Sequence, residues 1–198
     1  SEIEKEEGRF DFSELDEVLA RAGAKGYKIV LTVGMKAPVW PEFYIPGWAL
    51  PKKRGKNAEL SRDKKLRERT LRFVLKTVRR AAKHDSIVAW QVENEPMDRA
   101  GEHRGFIGAD FVDAESRLIR MADPRGRPLV INVWSDNQLF GSAPWTDATY
   151  AARNALRLGD ILGVDVYPRI DGGGTSKTRV ETFPRLYAEA AERQGKGA

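Results

Sequence analysis

Four short apolar runs, Ile29–Val33, Ile87–Trp90, Leu129–Val133 and Ile161–Val166, are spaced along the chain with an amphipathic helical pattern between each pair. Runs this short, with little or no polar alternation, fit strands buried on both faces. Strands of that kind occur in parallel sheets covered by helices. The helices are read from their 3.6-residue spacing. Leu15, Val18, Leu19 and Ala22 mark the first, with Ser13 as its N-cap, Asp16 three residues on and Gly23 at its end. Leu66, Phe73, Val74, Thr77, Val78 and Ala81 mark a long second helix. Others span about Phe111 to Met121 and Ala148 to Leu158, and a last one carries Val180, Phe183, Leu186, Tyr187 and Ala190.

The loops are uneven. Those after strands are long and hold the unusual residues, and those after helices are short. Met35 to Lys56 is the extreme case, rich in proline and aromatics. Long loops at one end of every strand favour a (β/α)₈ TIM barrel over a doubly wound sheet. Such a barrel needs eight strands and about 250 residues. The 198 residues here hold four. The expected fold is therefore α/β, an incomplete (β/α)₈ barrel. Residues 1–198 are expected to form one partial catalytic domain, approximately strands three to six of a longer enzyme.

The second strand runs into Gln91-Val92-Glu93-Asn94-Glu95-Pro96, and Pro96 stops any ladder from continuing. This sets an amide beside a carboxylate where a strand spills into a loop, the edge at which barrels do their chemistry. A carboxyl partly desolvated there has its pKa raised and keeps its proton for a leaving group. Glu95 is thus the candidate general acid/base of a sugar-cleaving enzyme, and Asn94 the candidate contact to a sugar hydroxyl. Alternatively, the tripeptide is a turn with a solvated glutamate. Glu93, two residues earlier, would share a face with Glu95 under strict alternation. It either tunes Glu95 or is paired inside the barrel mouth, and pairing is the expected role.

Trp40, Phe43, Tyr44 and Trp48 crowd the first long loop, and Trp134 follows the third strand. Aromatic faces stack on the C–H faces of sugar rings, so Trp40, Tyr44, Trp48 and Trp134 are the candidate substrate contacts. The bland alternative is a satellite core that pins the loop, and both roles are expected among them. Trp90 lies mid-strand and reads as packing. Tyr167, after the fourth strand and before Pro168, could hold a catalytic carboxylate in its ionised form. Lys36 and Glu42 are further polar candidates, His103 lies in the loop after Glu95, and His84 suits a helix end. The run Gly172 to Gly174 lacks the spacing of a phosphate loop and reads as a flexible connection.

With no cysteine and only two distant histidines, no metal site or disulfide is expected, and no cofactor is called for. The apolar runs fall well short of the roughly 20 residues of a membrane helix, so no membrane segment is expected. Ser1 to Glu7 does not read as a signal peptide, and localisation stays open, secreted or cell-envelope if a signal lies upstream and cytoplasmic otherwise. The net charge of +5 gathers around Lys52 to Lys56 and along Arg62 to Arg80. The second stretch is the wet face of a helix, so the expected partner is an oligosaccharide or polysaccharide rather than nucleic acid.

Several blocks resemble the clan A retaining glycoside hydrolases. Glu6 to Ser13 is similar to the segment after the second barrel strand, Ala89 to Pro96 to the fourth strand with its Asn-Glu pair, and Asp165 to Pro168 to the end of the sixth. Asn-Glu-Pro with a Tyr-Pro strand end is most similar to the cellulase-like family 5. Gln91 to Glu95 also looks like family 35, and Ala37-Pro38-Val39-Trp40 like family 42. The resemblance implies Glu95 as acid/base, Asn94 on a sugar hydroxyl and Tyr167 positioning the nucleophile. That nucleophile would be a glutamate ending the seventh strand, which the resemblance places beyond this chain. The leading expectation is hydrolysis of β-linked saccharides by double displacement. The alternative is a carbohydrate-binding barrel fragment without turnover.

Overall fold

The computed structural model describes residues 2–39, 41–52, 55–99, 101, 103–134, 148–165 and 192. In chain order these give α1 (Ser13–Ala24), β1 (Ile29–Val33), α2 (Lys64–Ala81), β2 (Ile87–Val92), α3 (Ala109–Ala122), β3 (Leu129–Trp134), α4 (Ala148–Leu158) and β4 (Ile161–Asp165), with 3₁₀ turns at Gly47–Ala49 and Leu60–Arg62. The strands form one parallel sheet in the order β1-β2-β3-β4. Sequential parallel neighbours need crossovers, and right-handed crossovers put every helix on the same side. This is a stretch of (β/α)₈ barrel wall, as the strand and helix pattern predicts. The expected helix around Val180 and the Gly172 to Gly174 connection lie outside the described residues.

The helix-covered face holds Val33, Trp90, Val92, Leu129, Ile131, Val133 and Leu162, all buried. Against them pack Leu66, Val74 and Val78 of α2, Phe111, Val112 and Ile119 of α3, and Ala151, Ala155 and Leu156 of α4. Each fully buried large side chain contributes roughly 1.5–3 kcal/mol. The first helix departs from its expected cap and stripe. Phe12 is the N-cap residue, and the Asp11 carboxylate accepts from the Ser13 N–H at 3.0 Å. Leu19 is buried, but Val18 is 55% exposed, so it flanks the packed stripe rather than belonging to it. α2 follows the rule more closely, with Asp63 accepting from the Leu66 N–H at 2.8 Å.

The opposite face is polar toward the C-terminal end of the strands. Register partners share a face in a parallel ladder, and Thr32 pairs with Gln91, Asn132 with Gly163, and Trp134 with Asp165. Gly163 has a packing reason. A Cβ there would sit 2.8 Å from the Cβ of Asn132, so glycine leaves room for the asparagine to reach across the barrel.

Candidate active site

Beyond Val92 the backbone leaves the strand by an unusual route. Glu93 has φ 61° and Glu95 φ 43°, both left-handed. For residues with a Cβ, that conformation costs roughly 1–2 kcal/mol each. Hydrogen bonds from three sides hold it. The Glu93 N–H donates to the Val33 carbonyl at 2.9 Å, and the Glu95 N–H donates to Asn132 Oδ1 at 2.8 Å. The Glu95 carbonyl accepts from the Asp98 N–H at 3.0 Å and from Lys36 Nζ at 2.7 Å. Two left-handed residues abolish strand alternation, so the glutamates meet different surroundings.

Glu93 turns into the protein and is fully buried. Its carboxylate accepts from the N–H of Met35 at 2.9 and 2.8 Å and of Lys36 at 2.6 Å. It reaches them only because Gly34, at φ 131°, has no Cβ; one there would lie 2.2 Å from the Glu93 carboxyl carbon. On its other side it meets the buried Glu115 of α3. Burial pushes Glu93 up to about 7 against the pull of those N–H groups. Burial, then the Glu93 charge, holds Glu115 well above the usual carboxylate range. The expected pairing of Glu93 inside the barrel mouth is thus replaced by burial on two backbone N–H groups, against Glu115, a helix residue that the sequence reading did not single out.

Glu95 faces the polar side. Burial pushes its pKa up to about 8; Lys36 opposes the rise, and Asp98 and a hydrogen-bonding contact with Asp165 add to it. Its Oε1 is buried with no hydrogen-bond partner among the described residues. A carboxyl so placed keeps its proton at neutral pH, the property a general acid needs. Asn132 is the hub beside it. Its Nδ2 donates to Asn94 Oδ1 at 2.9 Å and to Asp165 Oδ2 at 2.6 Å, while its Oδ1 holds the Glu95 N–H. Gln91 Nε2 also reaches Asn94 Oδ1, at 3.2 Å. Asn94 is thereby fixed next to Glu95. Asn132 and Asp165 are residues the sequence reading passed over. The available signal was a polar side chain inside an apolar strand run.

The aromatic candidates divide. Trp134 extends from β3 beside this network, its N–H donating to Asp98 Oδ2 at 3.0 Å. Trp48 lies elsewhere: its indole donates to the Glu4 carbonyl at 3.2 Å and Arg69 covers its ring at 5.2 Å. Trp48 and Tyr44 line a cavity of about 130 Å³ with Met35, Ile45, Leu66 and Phe73, between the loop after β1 and α2. Neither Asn94, Glu95 nor Trp134 lines it. At this end the aromatic loop is pinned by a satellite core. Trp90 packs, fully buried. Trp40 and Tyr167 lie outside the described residues. Among those described, no helix is long and apolar enough to cross a membrane, and no acidic or histidine cluster is grouped to hold a metal.

Comparison with known proteins points to one kind of enzyme. The model of glycoside hydrolase family 42, the β-galactosidases, matches residues 1–104. No curated protein matches the sequence. Among solved structures, the β-galactosidase of the psychrophilic Marinomonas ef1 is 18% identical with a TM-score of 0.56, covering 85% of this chain and 35% of that one. GH5_18 from Bifidobacterium longum subsp. longum is 16% identical with a TM-score of 0.67, covering 96% and 46%. GH5_18 from Streptomyces cattleya, in complex with GlcNAc, is 14% identical with a TM-score of 0.61, covering 83% and 40%. The chain thus spans between about a third and a half of these structures, and the likeness is one of fold. Family 5, ranked first from sequence motifs, appears among the structural neighbours. The family model that matches is that of family 42, whose likeness was read in the Ala37 to Trp40 loop.

Proposed function

This chain belongs to the β-galactosidases of glycoside hydrolase family 42, and from that we propose that Glu95 is the general acid/base of a retaining β-glycosidase acting on β-galactosides. The observation that carries the reading is a buried carboxyl at a strand end with its pKa pushed up to about 8. In the first step Glu95 gives its proton to the glycosidic oxygen as the C1–O bond breaks and a carboxylate nucleophile closes on C1. In the second, the Glu95 carboxylate takes a proton from water, whose oxygen attacks C1 and releases the nucleophile. The nucleophile is supplied from outside the described residues, and the role of positioning it is assigned in this reading to Tyr167. Asn94, held by Asn132 and Gln91, presents its amide to the hydroxyl next to C1. Trp134 stacks on a sugar ring, a role proposed also for Trp40, while Tyr44 and Trp48 line the cavity that pins the first loop.

The test uses the parent protein and aryl β-galactosides of graded leaving-group ability. Glu95→Gln should lose about 10²–10⁴-fold on a poor leaving group. On dinitrophenyl galactoside it should still form the glycosyl-enzyme, with turnover restored by azide. Unchanged hydrolysis of the poor substrate by the variant would overturn the assignment.

A further inference from the structure

Lys36 follows β1 and is buried to 1% exposure. A buried ammonium must place three N–H bonds. Lys36 Nζ donates to the Glu95 carbonyl at 2.7 Å and the Asp98 carbonyl at 3.1 Å, and it pairs with Glu42 Oε2 at 3.6 Å. The Phe43 ring lies on a further side, 5.9 Å from Nζ to its centroid. The same residue's backbone N–H holds the Glu93 carboxylate. One residue therefore grips both glutamates, Glu93 by its side chain and Glu95 by its backbone. A carbonyl with two donors, here Lys36 Nζ and the Asp98 N–H, has its peptide plane fixed, and Pro96 next to it has no N–H with which to compete.

We propose that Lys36 is a positioning residue for the acid/base: its buried ammonium clamps the left-handed Glu95 turn and sets the charge that the Glu95 carboxyl feels, with Glu42 as the counter-charge that moderates it. The inference rests on the reading of Glu95 as acid/base for its consequence, but not for its test. Among the described residues, the groups that face Glu95 are Lys36 from the loop after β1, Asp98 from its own turn, Asp165 from the end of β4, and the neutral Asn132 from β3. Lys36 is the positive charge among them, opposing the proton affinity that burial and the two aspartates raise. For the second chemical step, that charge favours the Glu95 carboxylate left after proton donation. A lysine is therefore useful here where a neutral hydrogen-bond donor would not suffice.

The experiment is a carboxyl ¹³C NMR titration of glutamate-labelled protein, with the Glu95 signal identified by its absence in Glu95→Gln. In Lys36→Met the Glu95 midpoint should rise by about one pH unit, because an attractive charge is lost. In Glu42→Gln it should fall by a few tenths, because the Lys36 charge is left unmoderated. Mere loosening of the loop moves both variants the same way, toward the midpoint of a solvated carboxyl. Shifts in the same direction, or none in either variant, would overturn the proposal. Should Lys36→Met not fold, Lys36→Gln removes the same charge with a polar side chain kept in place; an upward Glu95 shift supports the proposal, and a downward or absent one overturns it. Hydrolysis is read separately. If Glu95→Gln keeps full activity, the catalytic reading fails while opposite titration shifts still establish the clamp. If both readings hold, Lys36→Met lowers kcat more than it changes KM and moves the alkaline limb of the pH profile upward.

Discussion

The two ends of β2 both bury carboxyl groups, and they treat them in opposite ways. Below the strand, Asp123 accepts from Trp90 Nε1 at 2.8 Å, the Arg125 N–H at 3.0 Å, the Arg127 N–H at 3.3 Å and Arg127 Nη1 at 2.8 Å. Arg127 spends its remaining donors on the carbonyls of Ala82, His84 and Ile87, tying the end of α2 to the starts of β2 and β3. Burial pushes Asp123 up, but the bonds from Trp90, Arg125 and Arg127 outweigh it, and the net direction is down. Above the strand, Glu93, Glu95 and Glu115 are raised. Burial is present at both ends, so burial alone does not distinguish them. The supply of donors and the neighbouring charge together do. Asp123 accepts from four donor groups, one of them a guanidinium, whereas Glu93 has two N–H groups and faces Glu115, and Glu95 faces Asp98 and Asp165. This matches the division of a barrel into a stabilising end and a working end.

The largest expected effect is on stability against pH. The raised glutamates hold protons in the folded chain above the unfolded carboxylate value of about 4.3. The folded state therefore binds more protons than the unfolded state across that window. Stability falls as pH rises from about 5 to about 8, by roughly 1.4 kcal/mol per pH unit for each such proton. Urea unfolding at stepped pH should lose several kcal/mol over this range, and Glu115→Gln should flatten the curve by up to one proton. Asp123 has the opposite sign. Its contribution is complete at neutral pH and disappears only as acid protonates it, below about 4. A profile flat from pH 5 to 8 would erase the difference between the ends.

Next is Arg127→Met, which leaves Asp123 buried without its cation and should cost about 3–5 kcal/mol. The Glu95 titration midpoint should stay where it is, because the lower end does no work at the upper one; a shift there would join the two ends. Gly34→Ala should cost about 2–3 kcal/mol, since the methyl displaces the Glu93 carboxylate from the Met35 and Lys36 N–H groups and φ 131° suits only glycine. Loss within a few tenths of a kcal/mol would mean that Glu93 gives way freely.

The lower end and the strands were readable because apolar periodicity sets them. The run Ile29–Val33 and the helix Ala148–Leu158 agree with expectation at both bounds. The position of Asn94 and Glu95 just past a strand end was legible because an apolar run enters the pair and a proline follows it. Their surroundings were not. Glutamate is not a residue whose presence signals a left-handed backbone, so the turn at Glu93 and Glu95 overrode the alternation that predicts a shared face. Lys36 looked like a loop lysine, and only tertiary packing makes it the buried cation between the two. Asn132 lay inside an apolar run, where the barrel interior rather than local propensity explains it. Glu115 sits on the α3 stripe with Phe111, Val112 and Ile119, and a charge on an apolar face was the one available hint.

The smallest effect separates position from donor supply. Asp63 is an exposed carboxylate at the start of α2, the helix that follows β1, so it belongs to the upper end with Glu93 and Glu95. Its side chain accepts from the Leu66 N–H at 2.8 Å and caps the helix. Asp63→Ala should cost about 1 kcal/mol, the ordinary value of an N-cap, read by urea unfolding at neutral pH. A loss of about 3 kcal/mol or more, the range for a buried carboxylate deprived of its cation, would mean that an exposed carboxylate near the upper end is built in as deeply as the buried ones.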